Sequence, residues 1–439
     1  MRIDHTGTLD PPRTTIPTDG GGRTWTPDAL DHALADVTHR RRGGGSRGPH
    51  RLAALLGAIG DPQRRTNAVR IVGTDGKTSV TRLLGGLLSA SGRRVGTTTS
   101  PHLERVDERI RLDGAPLPPT LLGPAVDAVR AALPRVDAAG EPVSFFEVIT
   151  ATAVQSFADA RVDHVLVEAG IGGIGDATAA IPADVVVLTR VGLDHPELGS
   201  TLAAVTREKA SVLPVGGTLV SGPQAPQVDA ALAEVVAARE ARWLRAGVDH
   251  GVLDRQPGDD GQHVTVRGPA ERVVDVWLPL WGAHQADNAA TALATLAVVL
   301  GGWPSPDELR SALAGVSVPG RTERLVDAAG PELVLDGAHD VPAVDALVAA
   351  LAERPVSGPT VVLLGTTGDR DPGPLAAQLT AGGAQVRSVD ATCAGTELAH
   401  ELAAARSRVG PDGRVVVTGS LYLVGAARSQ VTSRQLAVR

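Results

Sequence analysis

The sequence predicts an α/β fold in two parts: a larger one with a mostly parallel sheet, then a smaller C-terminal one. Three observations carry that expectation. Short apolar runs recur at AVRIVG (68–73), HVLVE (164–168), DVVVLT (184–189) and GTLVSG (217–222), with helical patterns between them at 144–160 and 201–213. Strands alternating with helices imply a sheet covered on both faces. GGWPSP (301–306) breaks either kind of element and marks a boundary. Beyond it runs a shorter series of ELVLDGAH, VVLLG and RVVVTGS, each strand followed by a helix.

In chain order, a leader over 1–25 rich in Pro, Gly and Thr is expected to be disordered, and it lacks the apolar core of a signal peptide. From Thr26 to about Gly60 the pattern is helical, interrupted by HRRRGGGSRG. AVRIVG runs straight into GTDGKTS, and the following SVTRLLGGLLSAS has helical spacing with Gly92 as its C-cap. The segment 241–280, with HVTVRG and VVDVWLPL, reads as antiparallel β structure, and a long apolar helix follows at 285–300. The larger domain is therefore expected over 26–302 and the smaller over 303–439, with a ligand cleft between them. The sequence has no internal repeat.

Composition narrows the function classes. With 439 residues, 43% hydrophobic and 21% charged, the chain can bury large cores. A net charge of −7 leaves no basic footprint for nucleic acid or an anionic membrane. Cys393 is the only cysteine, so no intrachain disulfide forms, and no apolar run is long enough to span a bilayer. A cytoplasmic monomer acting on small molecules is expected.

Of 42 basic residues only two are lysine, Lys77 in VGTDGKTS and Lys209 in TREKASVL. A GC-rich genome accounts for the scarcity but not for where the two sit. VGTDGKTS lies between a strand and a helix, where backbone N–H groups and a helix N-terminus favour an anion. Lys77 adds a charge that can reach outer phosphates, and Thr78 a hydroxyl for Mg²⁺ or phosphate. The spacing is G-x-x-G-K-T, shorter than the usual G-x-x-x-x-G-K-[ST]. A glycine turn with a lysine can also be a plain helix cap; the strand–loop–helix context favours nucleotide binding.

GTDGKTS resembles the phosphate loop of the Mur ligase superfamily, ATP-dependent enzymes that join an amino acid to a carboxylate. Further segments resemble its folylpolyglutamate synthase/dihydrofolate synthase branch: TTTSPHLERVDERIRLDG (97–114), SFFEVITATAVQSFA (144–158), VLVEAGIGGIGDAT (165–178), VGLDHPELGSTLAAVTREKASVL (191–213), GAHQADNAATALA (282–294), VPGRTERL (318–325), LDGAHD (335–340) and VTGSLYLVG (417–425). The likeness runs in order from about Leu52 to Arg428. About seventy residues precede the loop, too few for the separate nucleotide-sugar domain of the murein enzymes, which favours the folate branch. The fold so implied is Mur-ligase-like: a central P-loop ATPase domain with a mostly parallel sheet, plus a smaller C-terminal Rossmann-like domain.

The resemblance also implies roles. Gly73, Thr74, Asp75, Gly76, Lys77, Thr78 and Ser79 would hold ATP phosphates, with Asn288, Arg321, Asp336 and His339 as further ATP contacts. Ser100, Glu168 and His195 resemble ligands of two Mg²⁺ ions, and Lys209 resembles the lysine that CO₂ carbamylates to complete the second. An amine can lose its proton and attack CO₂, whereas a guanidinium stays protonated; a carbamate oxygen is a hard ligand suited to Mg²⁺. Taken singly, Ser100 could be a helix cap, Glu168 or Asp336 a strand-end cap, His195 a solvated loop histidine and Arg321 a surface ion-pair partner. Phe145, Phe146 and Asp176 fall near the expected acceptor pocket.

Four departures bear mainly on the acceptor side. Asp75 and Asp340 stand where the family usually has asparagine, Ile174–Gly175 replace an Arg-Leu pair, and Ala179 replaces an asparagine. The activity implied is ATP-dependent addition of an amino acid, L-glutamate first, to dihydropteroate or a folate through an acyl phosphate. Two alternatives stand beside it: a dedicated ligase for a non-folate carboxylic acid, and a nucleotide-binding protein without turnover. A P-loop kinase would have no use for the PGR and DGAHD segments.

Overall fold

The computed structural model describes residues 33, 40, 48–193, 195–325, 330–368 and 370–437. The expected leader, and the helical pattern before residue 48 apart from Ala33 and Arg40, lie outside the described residues. The larger sheet has eight strands: β1 (Asn67–Val72), β2 (Val95–Thr98), β3 (Ile110–Leu112), β4 (Ala115–Pro116), β5 (His164–Glu168), β6 (Val185–Leu188), β7 (Thr218–Ser221) and β8 (Arg242–Arg245), in the order β4-β3-β2-β5-β1-β6-β7-β8. The pairs from β2 to β8 are parallel; β3 and β4 add an antiparallel edge. Apolar residues on both faces explain why the strands read as continuous hydrophobic runs. In β5, Val165 and Val167 enter one core while Leu166 enters the other.

Helices cover both faces. The second helix in sequence is α2 (Lys77–Ala90); the first core takes in α1 (His50–Ala58), α3 (Pro119–Ala139) and α4 (Phe145–Asp159), where Leu52, Leu55 and Leu56 of α1 pack with Val126 and Val129 of α3 and Val148 and Phe157 of α4. Ser144 and Glu147 cap α4 reciprocally, through a 3.3 Å bond from the Glu147 N–H and a 2.7 Å bond from the Ser144 N–H. On the opposite face, Leu83, Leu84, Leu87 and Leu88 of α2 meet a second core. After α5 (Leu202–Ala210) and α6 (Pro226–Ala238), three antiparallel strands, β9 (Gly251–Gly258), β10 (Gly261–Arg267) and β11 (Val273–Leu278), lay Val264, Val266, Val274 and Val276 into it. So the antiparallel segment expected over 241–280 begins later: Arg242–Arg245 extends the parallel sheet.

The apolar helix α7 (Ala283–Leu300) ends at Gly301, whose φ of 72° suits glycine. Yet Leu309 and Leu313 of α8 (Pro306–Ala314), with Val316 and Val318, join the core of α2 and α7, so that core continues beyond GGWPSP. The second sheet then follows: β12 (Glu323–Leu325), β13 (Glu332–Leu335), β14 (Thr360–Leu364), β15 (Gln385–Ser388) and β16 (Arg414–Thr418), ordered β12-β13-β16-β14-β15 and parallel except for β12. It alternates like the first, Val415 and Val417 facing one core and Val416 the other. Its helices are α9 (Val341–Ala352), α10 (Gly373–Ala381), α11 (Gly395–Val409) and α12 (Leu421–Ala437). Among the described residues no helix is long and apolar enough to cross a membrane.

Candidate active site

The carboxyl ends of β1, β2, β5, β6 and β7 converge on one cavity of about 970 Å³, and Arg321, just before β12, and the loop after β13 close over it. That is where open α/β sheets place ligands, because successive loops diverge there. Thr74, Asp75, Gly76, Lys77, Thr78, Ser79, Ser100, Glu168, His195, Asn288, Arg321, Asp336 and His339 all line it.

The loop after β1 owes its shape to two glycines. Gly73 (φ 145°) leaves no room for a side chain, since a Cβ there would lie 1.9 Å from Thr189 Oγ1. Gly76 (φ 83°) begins α2, and its Cβ would lie 2.5 Å from Asn288 Oδ1 on α7. Non-glycine residues seldom adopt either conformation. The Thr74 N–H donates to Arg190 O at 2.7 Å, and Gly192 N–H to Thr74 Oγ1 at 2.9 Å, tying this loop to the one after β6. Lys77 Nζ folds back to donate to Gly73 O (3.0 Å) and Thr74 O (2.7 Å).

Glu168 ends β5 almost fully buried. Its carboxylate accepts from Thr78 Oγ1 at 2.9 and 3.1 Å and from the Ser100 N–H at 3.2 Å. Burial pushes its pKa up; Lys77, the Thr78 hydroxyl, Arg321 and the Ser100 N–H pull the other way. The Lys77 charge, the Thr78 hydroxyl and the Glu168 carboxylate thus meet at the N-terminus of α2. His195 lines the cavity farther along, with Nδ1 3.1 Å from Glu197 Oε1.

Asp75 is raised by burial and then by Asp340 across the cleft, against the opposing pull of Lys77, His339 and Arg190. Its Oδ2 is buried without a hydrogen-bond partner among the described residues. Asp340 caps α9 by accepting from the Ala343 N–H at 2.8 Å, a task asparagine performs equally well. Asp336 accepts from the Thr322 N–H (2.6 Å), Thr322 Oγ1 (3.1 Å) and the Ala338 N–H (2.7 Å), joining the PGR and DGAH loops that present Arg321 and His339.

Other expected residues stand off the cavity. Lys209 lies fully buried beneath the phosphate loop, its Nζ donating to Gly73 O at 3.0 Å and Ile171 O at 2.9 Å. Asp176 accepts from the N–H groups of Ile171 (2.9 Å), Gly172 (3.0 Å) and Thr178 (2.8 Å) and from Thr178 Oγ1 (2.6 Å), so its carboxylate organises the loop after β5. Phe145 is buried under the Arg109 guanidinium, 5.1 Å from its ring centre, while Phe146 abuts Gly170 at the cavity edge. None of these four lines the cavity, and neither does Gly73. Among the described residues, no group of three His, Cys, Asp or Glu side chains is placed to hold a metal by itself.

The cavity also recruits Arg190, Gln224, His284 and Asp287, which the sequence did not single out. Gln224 accepts from the Val191 N–H (3.0 Å) and donates to Thr189 O (2.8 Å), bracing the loop after β6. Burial lowers the His284 pKa and raises that of Asp287 to about 6, with Arg255 opposing the latter. The motif HQADNAA already contained both, one helical turn from Asn288 or next to it.

No family model matches the sequence. Folylpolyglutamate synthase of Lacticaseibacillus casei is 37% identical over 405 residues, covering 87% of this chain and 94% of that one. Dihydrofolate synthase/folylpolyglutamate synthase of Mycobacterium tuberculosis is 38% identical over 341 residues, 73% of this chain and 69% of its own. Among solved structures, an FPGS–AMPPCP–folate complex superposes with a TM-score of 0.84 at 35% identity, over 91% of this chain and 98% of that one. The M. tuberculosis folylpolyglutamate synthase complexed with ADP and AMPPCP does so at 0.81 and 32%, over 91% and 98%. Likeness of this extent in both sequence and architecture places the chain in the folylpolyglutamate synthase/dihydrofolate synthase family.

Proposed function

We propose that this chain is an ATP-dependent ligase that adds L-glutamate to dihydropteroate or a folate through an acyl phosphate, with release of ADP. The observation that carries this is the single cavity in which the phosphate loop, the buried Glu168 and the Arg321–His339 loops of the second sheet all meet. The relatives named above support the substrates, one solved relative holding both an ATP analogue and a folate.

The chain's residues divide the work. Loop N–H groups of Thr74 to Ser79 and the N-terminus of α2 bind the phosphates. Lys77 would exchange a backbone carbonyl for phosphoryl oxygens, offsetting charge that grows as the γ-phosphoryl group moves to the substrate carboxylate. Asn288 presses on the loop from α7 while Arg321 and His339 close from the opposite side, excluding water. The amine of the incoming amino acid then attacks the acyl phosphate, and collapse of the tetrahedral intermediate yields the amide and phosphate.

Glu168 with the Thr78 and Ser100 hydroxyls fits one Mg²⁺: a buried carboxylate beside oxygen donors, open to a phosphate. A magnesium ion there would neutralise phosphoryl charge. A second ion on His195 and a CO₂-derived carbamate of Lys209 has less geometric support, since the Lys209 amine bonds two carbonyls and stands off the cavity. We take the enzyme to act in the cytoplasm as a monomer on small molecules, without nucleic acid or membrane, its net charge of −7 leaving no basic footprint for either.

Ile174, 56% exposed on the loop that Asp176 holds, favours keeping the same chemistry on a non-folate acid as a second possibility. Purified protein incubated with dihydropteroate or tetrahydrofolate, glutamate and Mg²⁺-ATP tests the choice. Folate-dependent ADP release is expected; its absence, with release on another acid, selects the second.

A further inference from the structure

A second cavity, of about 700 Å³, lies behind α2 and between it, the β3–β4 hairpin and the segment 312–319. Its floor is the helix face bearing Arg82, Gly85, Gly86 and Ser89. The spacing brings these four to one side of the helix. The two glycines keep that floor low: a Cβ on Gly85 would come 3.0 Å from Thr97 Cγ2, and one on Gly86 3.2 Å from Val316 Cγ2.

Polar atoms on this floor lack partners. Arg82 Nε and Ser89 Oγ are both buried with no hydrogen bond among the described residues. Arg111 faces the same cavity, and its guanidinium donates to Gly114 O (3.1 Å from Nε) rather than to a carboxylate. Burial, then the neighbouring Arg111, pulls the Arg82 pKa down to about 10. Of the carboxylates at the rim, Glu108 lends charge to Arg82 and Arg111, but the hydrogen bonds of Glu108 and Asp113 among the described residues go to backbone N–H groups. Glu108 accepts the N–H groups of Leu103 (2.8 Å), Glu104 (2.9 Å) and Arg105 (2.8 Å), and Asp113 that of Val95 (2.7 Å). A third lining guanidinium, Arg428, pairs with Glu323 at 3.0 Å and Glu104 at 3.2 Å. A buried donor without a partner is costly, and most such groups meet protein, water or a ligand.

We infer that this cavity is a second anion site, binding a small organic carboxylate between Arg82 and Arg111, with Ser89 as an additional donor. Guanidinium forks match a carboxylate in two parallel bonds. An inorganic phosphate offers the same charge, but it would fill little of this volume and leave the apolar wall of Ala312, Val316 and Pro319 bare. The site is separate from the phosphate loop and does not depend on the activity proposed above.

Calorimetric titration of the full-length chain with glutarate, L-glutamate and inorganic phosphate tests this. Glutarate has no amine, so it cannot enter amide formation as the nucleophile. Saturable glutarate binding should persist in Lys77→Ala, which disables the phosphate loop, and weaken about tenfold or more in Arg82→Gln. Ser89→Leu, which fills the cavity from its floor, should abolish it and serves as the second variant if Arg82→Gln does not fold. Unchanged binding in both cavity variants, loss in Lys77→Ala, or no saturable binding of either carboxylate would overturn the assignment. Phosphate binding tighter than glutarate, yet still dependent on Arg82, would overturn the organic ligand.

Discussion

Replacing Lys209 by methionine separates a structural lysine from a chemical one. The side chain is fully buried, and Nζ reaches two carbonyls. Gly73 O retains a second donor in Lys77 Nζ at 3.0 Å, so among these bonds the loss falls mainly on Ile171 O. One buried carbonyl deprived of a charged donor costs about 1–3 kcal/mol, while the methionine stem preserves the packing. Lys209→Arg keeps a donor but forces a larger head into a filled space, costing a further ~1–3 kcal/mol. Denaturant unfolding reads both numbers. A purely structural lysine predicts ordinary turnover per folded molecule in either variant. Carbamylation predicts instead that both lose about 10²-fold or more. It also predicts that acetate partly restores Lys209→Ala by occupying the vacated space, and that wild-type ADP release falls in CO₂-depleted buffer and recovers with bicarbonate. Near-normal turnover of Lys209→Arg, with no response of wild type to CO₂, would refute the carbamate.

Glu168→Gln should lower turnover by about 10²–10³-fold without lowering stability, because it removes a buried charge that burial itself disfavours; ADP release and unfolding midpoints check the two halves. Gly76→Ala should cost about 1–2 kcal/mol for its backbone conformation alone. Since its Cβ would press on Asn288 Oδ1, binding of an ATP analogue by titration should weaken in parallel. His250 is fully buried with Nε2 3.1 Å from Ser221 O, and burial lowers its pKa from 6.5 to about 4. Below pH 6.5 the unfolded chain takes up this proton and the folded chain does not. Stability is therefore lost as pH falls from 6.5 to 4, by up to about 3 kcal/mol, and His250→Leu should flatten that part of the unfolding-against-pH curve.

Much of the fold is local in origin and could be read from the chain. Strands β5, β6 and β16 are apolar on both faces because helices cover both, and the runs HVLVE, DVVVLT and RVVVTGS record that directly. The phosphate loop is equally local: a strand, two glycines at positive φ and a helix N-terminus follow within ten residues. Packing decided what local pattern could not. Asp75 feels the charge of Asp340, remote in sequence, only because the second sheet folds over the first. Lys209 lies under Gly73 rather than in the cavity because α5 packs its buried face against the loop after β5. Asp176 is a carboxylate of the kind expected to contact substrate but spends its oxygens on four donors of its own loop. GGWPSP ends a helix as its composition dictates, yet Leu309 and Leu313 carry the same core beyond it. Glycines and prolines set where an element stops; which core the next element joins depends on the apolar surface it can bury, a property of the whole assembled chain.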